Sequence, residues 1–167
     1  MLPKIVDPRR SAEQGISYRE TLSLEDLPRI KEFARSVYPV DVELDFSRDE
    51  QYRIRVIGRV KGQVQLQCQR CMGDVDTDFD QQINLMVVWN DEQSKAVPRD
   101  IDPWEVDEQA NLYELIEDEI LLALPVVARH PEGQCEAPEI PNQVEIAPEE
   151  GRQRPFEILK ALTKGSD

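Results

Sequence analysis

The chain holds one histidine and three cysteines in 167 residues, and these shortages exclude a good deal. Any imidazole chemistry has to pass through His130. Cys68, Cys71 and Cys135 are too few for the dense disulfide framework of a small secreted domain. No apolar run approaches the roughly 18 residues of a membrane span, and Met1–Arg10 has no apolar core of a secretory signal. The expectation is a cytoplasmic protein whose cysteines are thiols or metal ligands. Basic residues are scarce as well. Lys and Arg number 20 against 34 Asp and Glu, a formal charge of −14, which argues against diffuse attraction to phosphate. There is no Gly-rich phosphate loop, no nucleophile elbow and no second histidine to act as a base, so no enzyme is expected. The carboxylates Glu114, Glu117, Asp118 and Glu119 read as the solvated face of a helix.

What is present is a compact part diluted by acidic, proline-bearing segments. Apolar residues make up 40% of the chain, below the usual ~45–50%. Residues 1–22 show little pattern. Ser23 with Asp26 has the form of a capping box. Ile30, Phe33, Ala34 and Val37 then make an amphipathic stripe that predicts a helix over 29–37. From Val40 the period changes to 2. Five alternating runs, at 40–46, 52–56, 64–68, 75–79 and 83–89, predict an antiparallel meander over about 40–90. In it Tyr52, Ile54 and Val56 face the core, Gly58 and Gly62 mark bends or bulges, and Asp41, Glu43 and Asp45 pair with Arg53 and Arg55. A second helix is expected over 111–124, ended by Pro125. The expected fold is α+β: a single curved, barrel-like antiparallel sheet covered by two amphipathic helices. It forms a compact domain over 1–130. An acidic flexible segment over 131–153 follows, then a short C-terminal helix over 154–167, whose Phe156, Leu159 and Leu162 form a docking stripe.

The sharpest motif is Cys68-Gln69-Arg70-Cys71, followed at distance by His130 and Cys135. A Cys-x-x-Cys turn aims two thiolates at one ion, and three cysteines with one histidine match the four corners of a closed structural zinc site. Inert thiols and a redox pair are the alternatives. Arg53, Arg55, Arg59 and Lys61 share one parity, Gln63, Gln65 and Gln67 continue it, and Arg70 projects from the knuckle. Such a stripe can contact RNA or a partner, though cross-strand pairing with acids is the better explanation of the individual residues.

Together these residues resemble the YceD family, the large ribosomal RNA subunit accumulation proteins. The likeness rests on the Cys68–Cys71 turn, on the run from Glu117 to Pro125, and on His130 with Cys135. Asp7-Pro8 and Pro155-Phe156 before Leu159 and Leu162 add to it, while Arg154 stands where an asparagine would cap the last helix better. The resemblance implies a role in the synthesis, processing or stability of large-subunit ribosomal RNA. Two partners fit that role: a basic ribosomal or assembly protein drawn to the acidic surface, or precursor ribosomal RNA bound through the sheet and knuckle.

Overall fold

In the computed structural model, which describes residues 1–135, an α+β domain is built on a six-stranded sheet. A strand β1 (Ile5–Val6) leads into helix α1 (Pro8–Gln14), whose first turn is capped by Asp7 and whose end is closed by Gly15 in the left-handed region. Strand β2 (Ser17–Leu22), a tight turn over Leu24–Asp26, helix α2 (Pro28–Lys31) and strand β3 (Ser36–Val37) follow. The sheet is then completed by β4 (Val40–Arg48), β5 (Ile54–Gln67), β6 (Asp74–Val88) and, after helix α3 (Asp91–Lys95), β7 (Asp102–Glu105). A short β8 (Ala110–Asn111) pairs with β1, and helix α4 (Leu112–Ala123) closes the described part.

The strand order is β2-β4-β5-β6-β7, with β3 added to the far half of β5. The four long neighbours run antiparallel, as the alternation predicts. Three corrections apply. First, the sheet stays open among the described residues, with β2 and β7 as its edges, and does not close into a barrel. Second, β6 and β7 pair in parallel. The connection from Trp89 to Ile101 is about the dozen residues that a parallel crossover needs. Third, five expected strands are three: the second and third runs join through Gly58 and Gly62 into β5, and the fourth and fifth join into β6.

Those glycines mark close contacts instead of bends. A Cβ on Gly58 would stand 2.1 Å from the Glu43 carbonyl oxygen, and one on Gly62 would stand 2.9 Å from the Phe79 ring. The aromatic ring covers the space that a side chain would have filled.

The inward face of the sheet carries Val40, Val42, Leu44 and Phe46 from β4, Val56, Val60 and Val64 from β5, and Phe79 and Ile83 from β6, all buried. Helix α4 supplies Leu112, Leu115, Ile116 and Ile120 as the cover, and α1 lies against β4. The helix expected over 29–37 stops at Lys31. Beyond the Ala34 turn the chain extends as β3, because β4 reaches only to Lys61 on β5 and leaves the next stretch of that edge to be paired. One arm of the capping box forms: the Ser23 amide donates to Asp26 at 2.8 Å, but the Ser23 hydroxyl also donates to Asp26, and the Asp26 amide donates to the Ser23 carbonyl at 3.1 Å.

The acidic face of α4 differs from expectation. Asp118 and Glu114 are exposed, but Glu117 and Glu119 are buried. Glu117 Oε1 accepts from the Arg29 amide at 2.6 Å and the Ile30 amide at 3.4 Å. These are the N–H groups a helix-capping side chain takes, and Leu27, at the cap position of α2, has no acceptor to offer them. The compact part extends to Cys135, which packs against the core. The remainder of the expected flexible segment and the C-terminal helix with Phe156, Leu159 and Leu162 lie outside the described residues.

Candidate metal centre and the outer sheet face

The β5–β6 hairpin ends in a tight knuckle. The Cys68 amide donates to the Gly73 carbonyl at 2.8 Å, and the Met72 amide donates to the Cys68 carbonyl at 3.0 Å. Met72 adopts a left-handed φ of 63°, which turns the chain sharply enough for Cys68 and Cys71 to point to the same side. The loop after α4 is tied to this knuckle, because the Gln69 amide donates to the Ala128 carbonyl at 2.9 Å. That bond brings in His130. A turn closed by the Gln134 amide on the Pro131 carbonyl, with Gly133 at φ 79°, returns the chain to place Cys135 beside them.

The ligand atoms of Cys68, Cys71, His130 and Cys135 all lie within 4.8 Å of one another. Cys68 Sγ is 3.9 Å from Cys135 Sγ, and Cys71 Sγ is 3.5 Å from His130 Nδ1. A tetrahedral ion with metal–sulfur bonds of about 2.3 Å and a metal–nitrogen bond of about 2.0–2.1 Å has edges near 3.8 Å and 3.6 Å. These two separations match those edges, and the remaining ones stay within 4.8 Å. Cys68 is fully buried and the other three are half-buried, so the pocket is closed on the core side. The four side chains form a cluster that can hold a metal ion.

Backbone N–H groups favour a deprotonated Cys68, while Cys71 is shifted the other way. The Cys68 thiol is held down to about 5, chiefly by the Cys71 backbone N–H, with further help from the Arg70 and His130 amides. The Cys71 thiol benefits first from the Gly73 N–H, yet burial and the neighbouring Cys135 and Cys68 sulfurs push it up overall. His130 is raised by its hydrogen bond to Cys68. Three thiolates around a divalent ion would leave one negative charge. Arg70 stands where it can balance that charge, its Nε and Nη2 donating to Cys135 Sγ at 3.2 and 3.1 Å. Arg70 therefore turns back on the cluster and does not project from it.

Arg53, Arg55 and Arg59 also have partners, although the register differs from expectation, and Lys61 makes no ion pair among the described residues. Arg53 lies in the β4–β5 turn and binds Asp49 at 2.7 Å. Arg55 donates to Asn84, and Arg59 pairs with Asp80 across the hairpin. Asp41 stands opposite Lys61, Glu43 opposite Arg59 and Asp45 opposite Ile57, so the acids of β4 do not meet Arg53 and Arg55. Tyr52, expected in the core, is 77% exposed with φ 60°.

The outer face alternates glutamine and aspartate toward the knuckle. Gln63 donates to Asp78 at 2.8 Å and Gln65 to Asp76 at 3.2 Å. Asp74 is bound by Arg35 at 2.5 Å. The face thus carries Asp41, Glu43 and Asp45 on β4 and Asp74, Asp76, Asp78 and Asp80 on β6. Among the described residues, its cations are largely engaged. Sequence reasoning found the four ligand-type residues but missed the roles of Arg70 and Glu117. The acidic run in α4 was visible, but no local pattern separates its buried members from its exposed ones.

Among the described residues, no helix is long and apolar enough to cross a membrane. No solved structure matches the chain. Residues 56–163 match the sequence profile of a family described as "Large ribosomal RNA subunit accumulation protein YceD". A protein of that description from Haemophilus influenzae is 30% identical over 166 residues, covering 96% of this chain and 95% of the relative. The profile spans the knuckle, the buried carboxylates of α4 and the returning loop, and the chain belongs to the YceD family, named for the accumulation of large-subunit ribosomal RNA.

Proposed function

We propose that this chain is a non-enzymatic, cytoplasmic factor in the synthesis, processing or stability of large-subunit ribosomal RNA, acting by binding a basic ribosomal or assembly protein. The observation that carries the choice of partner is the outer sheet face. Seven carboxylates on β4 and β6 point outward there, in a chain of net charge −14; Asp45, Asp74 and Asp80 pair with Arg19, Arg35 and Arg59, which leaves Asp41, Glu43, Asp76 and Asp78 with no ion-pair partner among the described residues. A surface of that sign attracts cationic tails and raises their rate of encounter. It repels phosphate.

In this reading Cys68, Cys71, His130 and Cys135 hold a structural zinc ion. The donor set supports it: zinc takes sulfur and imidazole nitrogen in closed tetrahedral sites and needs no open position for a structural role. The ion would join the tip of the β5–β6 hairpin to the loop after α4. It supplies rigidity, not chemistry.

The partner is tested by measuring retention of the full chain on immobilised basic large-subunit proteins and on immobilised ribosomal RNA across a salt gradient. Binding to the proteins that weakens with salt and is lost in an Asp76→Lys, Asp78→Lys double variant supports the reading. Both residues accept hydrogen bonds from glutamines and make no ion pair among the described residues, so the exchange breaks no ion pair of the sheet. Retention on RNA alone, unaffected by the double variant, overturns it in favour of direct RNA binding.

A further inference from the structure

At the end of the sheet away from the knuckle lies a cavity of about 420 Å³ that neither the metal cluster nor the acidic face uses. The length of β5, up to roughly 43 Å at 3.3 Å per residue, separates the two ends. Its floor is apolar, built from Ile54 at the start of β5 and from Val87 and Val88 at the end of β6. The rim has the opposite character. Arg9 of α1, Arg48 at the end of β4 and Arg53 of the β4–β5 turn all line it, together with Trp89 and Tyr52.

Three guanidiniums on one cavity are an anomaly in a chain with 20 basic and 34 acidic residues. Arg48 is paired with Glu13 at 2.6 Å and Arg53 with Asp49 at 2.7 Å. Arg9 has no carboxylate partner among the described residues, and its guanidinium rests 4.5 Å from the centre of the Trp89 ring. The cavity mouth therefore keeps a net positive charge. Tyr52 adds a second aromatic surface in an unusual way. It holds φ at 60°, a region bulky residues seldom adopt, and its ring is 77% exposed. Asp49 holds that turn by accepting from the Gln51 and Arg53 amides at 2.9 and 2.8 Å. The backbone strain leaves an aromatic ring standing at the mouth of an apolar cavity, where glycine would have served the turn without cost.

An apolar floor, two aromatic rings and a guanidinium cluster together suit a flat heterocycle joined to an anion. The volume falls in the range of small-ligand pockets, about 300–1,000 Å³. We propose that this cavity binds a phosphorylated nucleoside, with the base on the apolar and aromatic surfaces and the phosphate on Arg9, Arg48 and Arg53. Such a group comes either from a free nucleotide or from an unpaired residue of an RNA strand. The inference does not depend on the acidic-face reading, since the two sites lie on different parts of the sheet.

The test uses Trp89 emission in the full chain carrying Trp104→Phe, which leaves Trp89 as the sole tryptophan. Adenosine and uridine monophosphates, a short single-stranded oligoribonucleotide and inorganic phosphate are titrated separately. A saturable change with nucleotide, weakened by salt, is expected. Tyr52→Gly, which suits the left-handed turn and so keeps the fold, should weaken binding about fivefold or more by removing a stacking surface. Arg9→Glu should weaken it about tenfold. A tighter response to the oligonucleotide identifies an RNA strand as the source, and a response to mononucleotides alone identifies free nucleotide. Two results overturn the proposal: no saturable change with any nucleotide up to millimolar concentration, or binding that inorganic phosphate reproduces and that Tyr52→Gly leaves unchanged. The Asp76→Lys, Asp78→Lys variant should bind nucleotide as the parent does, so this outcome is separable from the partner experiment.

Discussion

Replacing Glu117 by alanine should cost this protein far more than its place in a run of acids suggests. The side chain is 2% exposed, and its Oε1 accepts from two backbone amides of α2 at 2.6 and 3.4 Å. Removing a helix-capping acceptor costs about 0.5–2 kcal/mol. Leaving a buried amide without a partner costs about 1–3 kcal/mol more. The two overlap, so the expected loss is roughly 2–4 kcal/mol. With a urea slope of about 2 kcal/mol/M for a domain of this size, the unfolding midpoint should fall by about 1–2 M. Glu117→Gln keeps an acceptor oxygen and loses only the charge assistance, so about 1 kcal/mol is expected. Asp118 provides the control. It pairs with Arg29 at 2.6 Å, but both side chains are about half exposed, and Asp118→Ala should stay within about 1 kcal/mol of the parent. Urea titrations followed by far-ultraviolet circular dichroism measure all three. The reasoning fails if Glu117→Ala lies within about 0.5 kcal/mol of the parent, or if Asp118→Ala costs as much.

Three more outcomes are expected. Gly58→Ala forces a Cβ against the Glu43 carbonyl, 2.1 Å away, so it should lower the melting temperature by at least about 5 °C, and an unchanged melting curve would disprove the close approach. Protein purified in reducing, chelator-free buffer should carry one zinc, and Cys135→Ser should weaken its binding. Because the ligands must be thiolates and a neutral imidazole, affinity should fall as pH drops below neutrality, and elemental analysis finding no metal would end the zinc assignment. Burial raises the Glu119 carboxyl above its ordinary range, so the folded chain holds that proton more tightly than the unfolded chain. The charged form therefore costs stability above the folded-state value, and the cost disappears below the unfolded one. Glu119→Gln, which still accepts from Gln81, should stabilise the protein at pH 8 and have little effect at pH 4; a larger gain at pH 4 would contradict the burial argument.

The parts of the fold that were legible in the sequence are those whose burial follows a simple period. Val40, Val42, Leu44 and Phe46 alternate without interruption, and α4 shows a clean stripe closed by Pro125, so both were found. Strand β2 was not, because Glu20 stands on its inward side between Tyr18 and Leu22 and breaks the alternation. Helix α1 carried a signal that was not used: Asp7 as cap, Pro8 in the first turn and Gly15 at the end. Strand β7 hides behind Pro103, which an edge strand tolerates. The four metal-type ligands were legible from inventory alone, since the chain owns no others of their kind. Their convergence was not, because it depends on a 2.9 Å bond between the Gln69 amide and the Ala128 carbonyl. The basic stripe misled for a similar reason: parity along one strand says which face a residue takes, whereas register decides what it meets there.

The pairing of β1 with β8 has a consequence for how the protein is made. Ile5 and Val6 find their partners in Asn111 and Ala110, and the amide of Arg29 finds its acceptor 88 residues later in Glu117. At a synthesis rate of about 5–20 residues per second, the N-terminal elements emerge from the ribosome many seconds before the residues that complete them. Until α4 clears the exit tunnel, Ile30 and Leu27 have no helix to cover them, and the sheet's inner face lies open to water. The nascent chain must therefore stay unfinished until α4 has emerged, and that late step of folding closes β1 onto β8 across more than a hundred residues of chain.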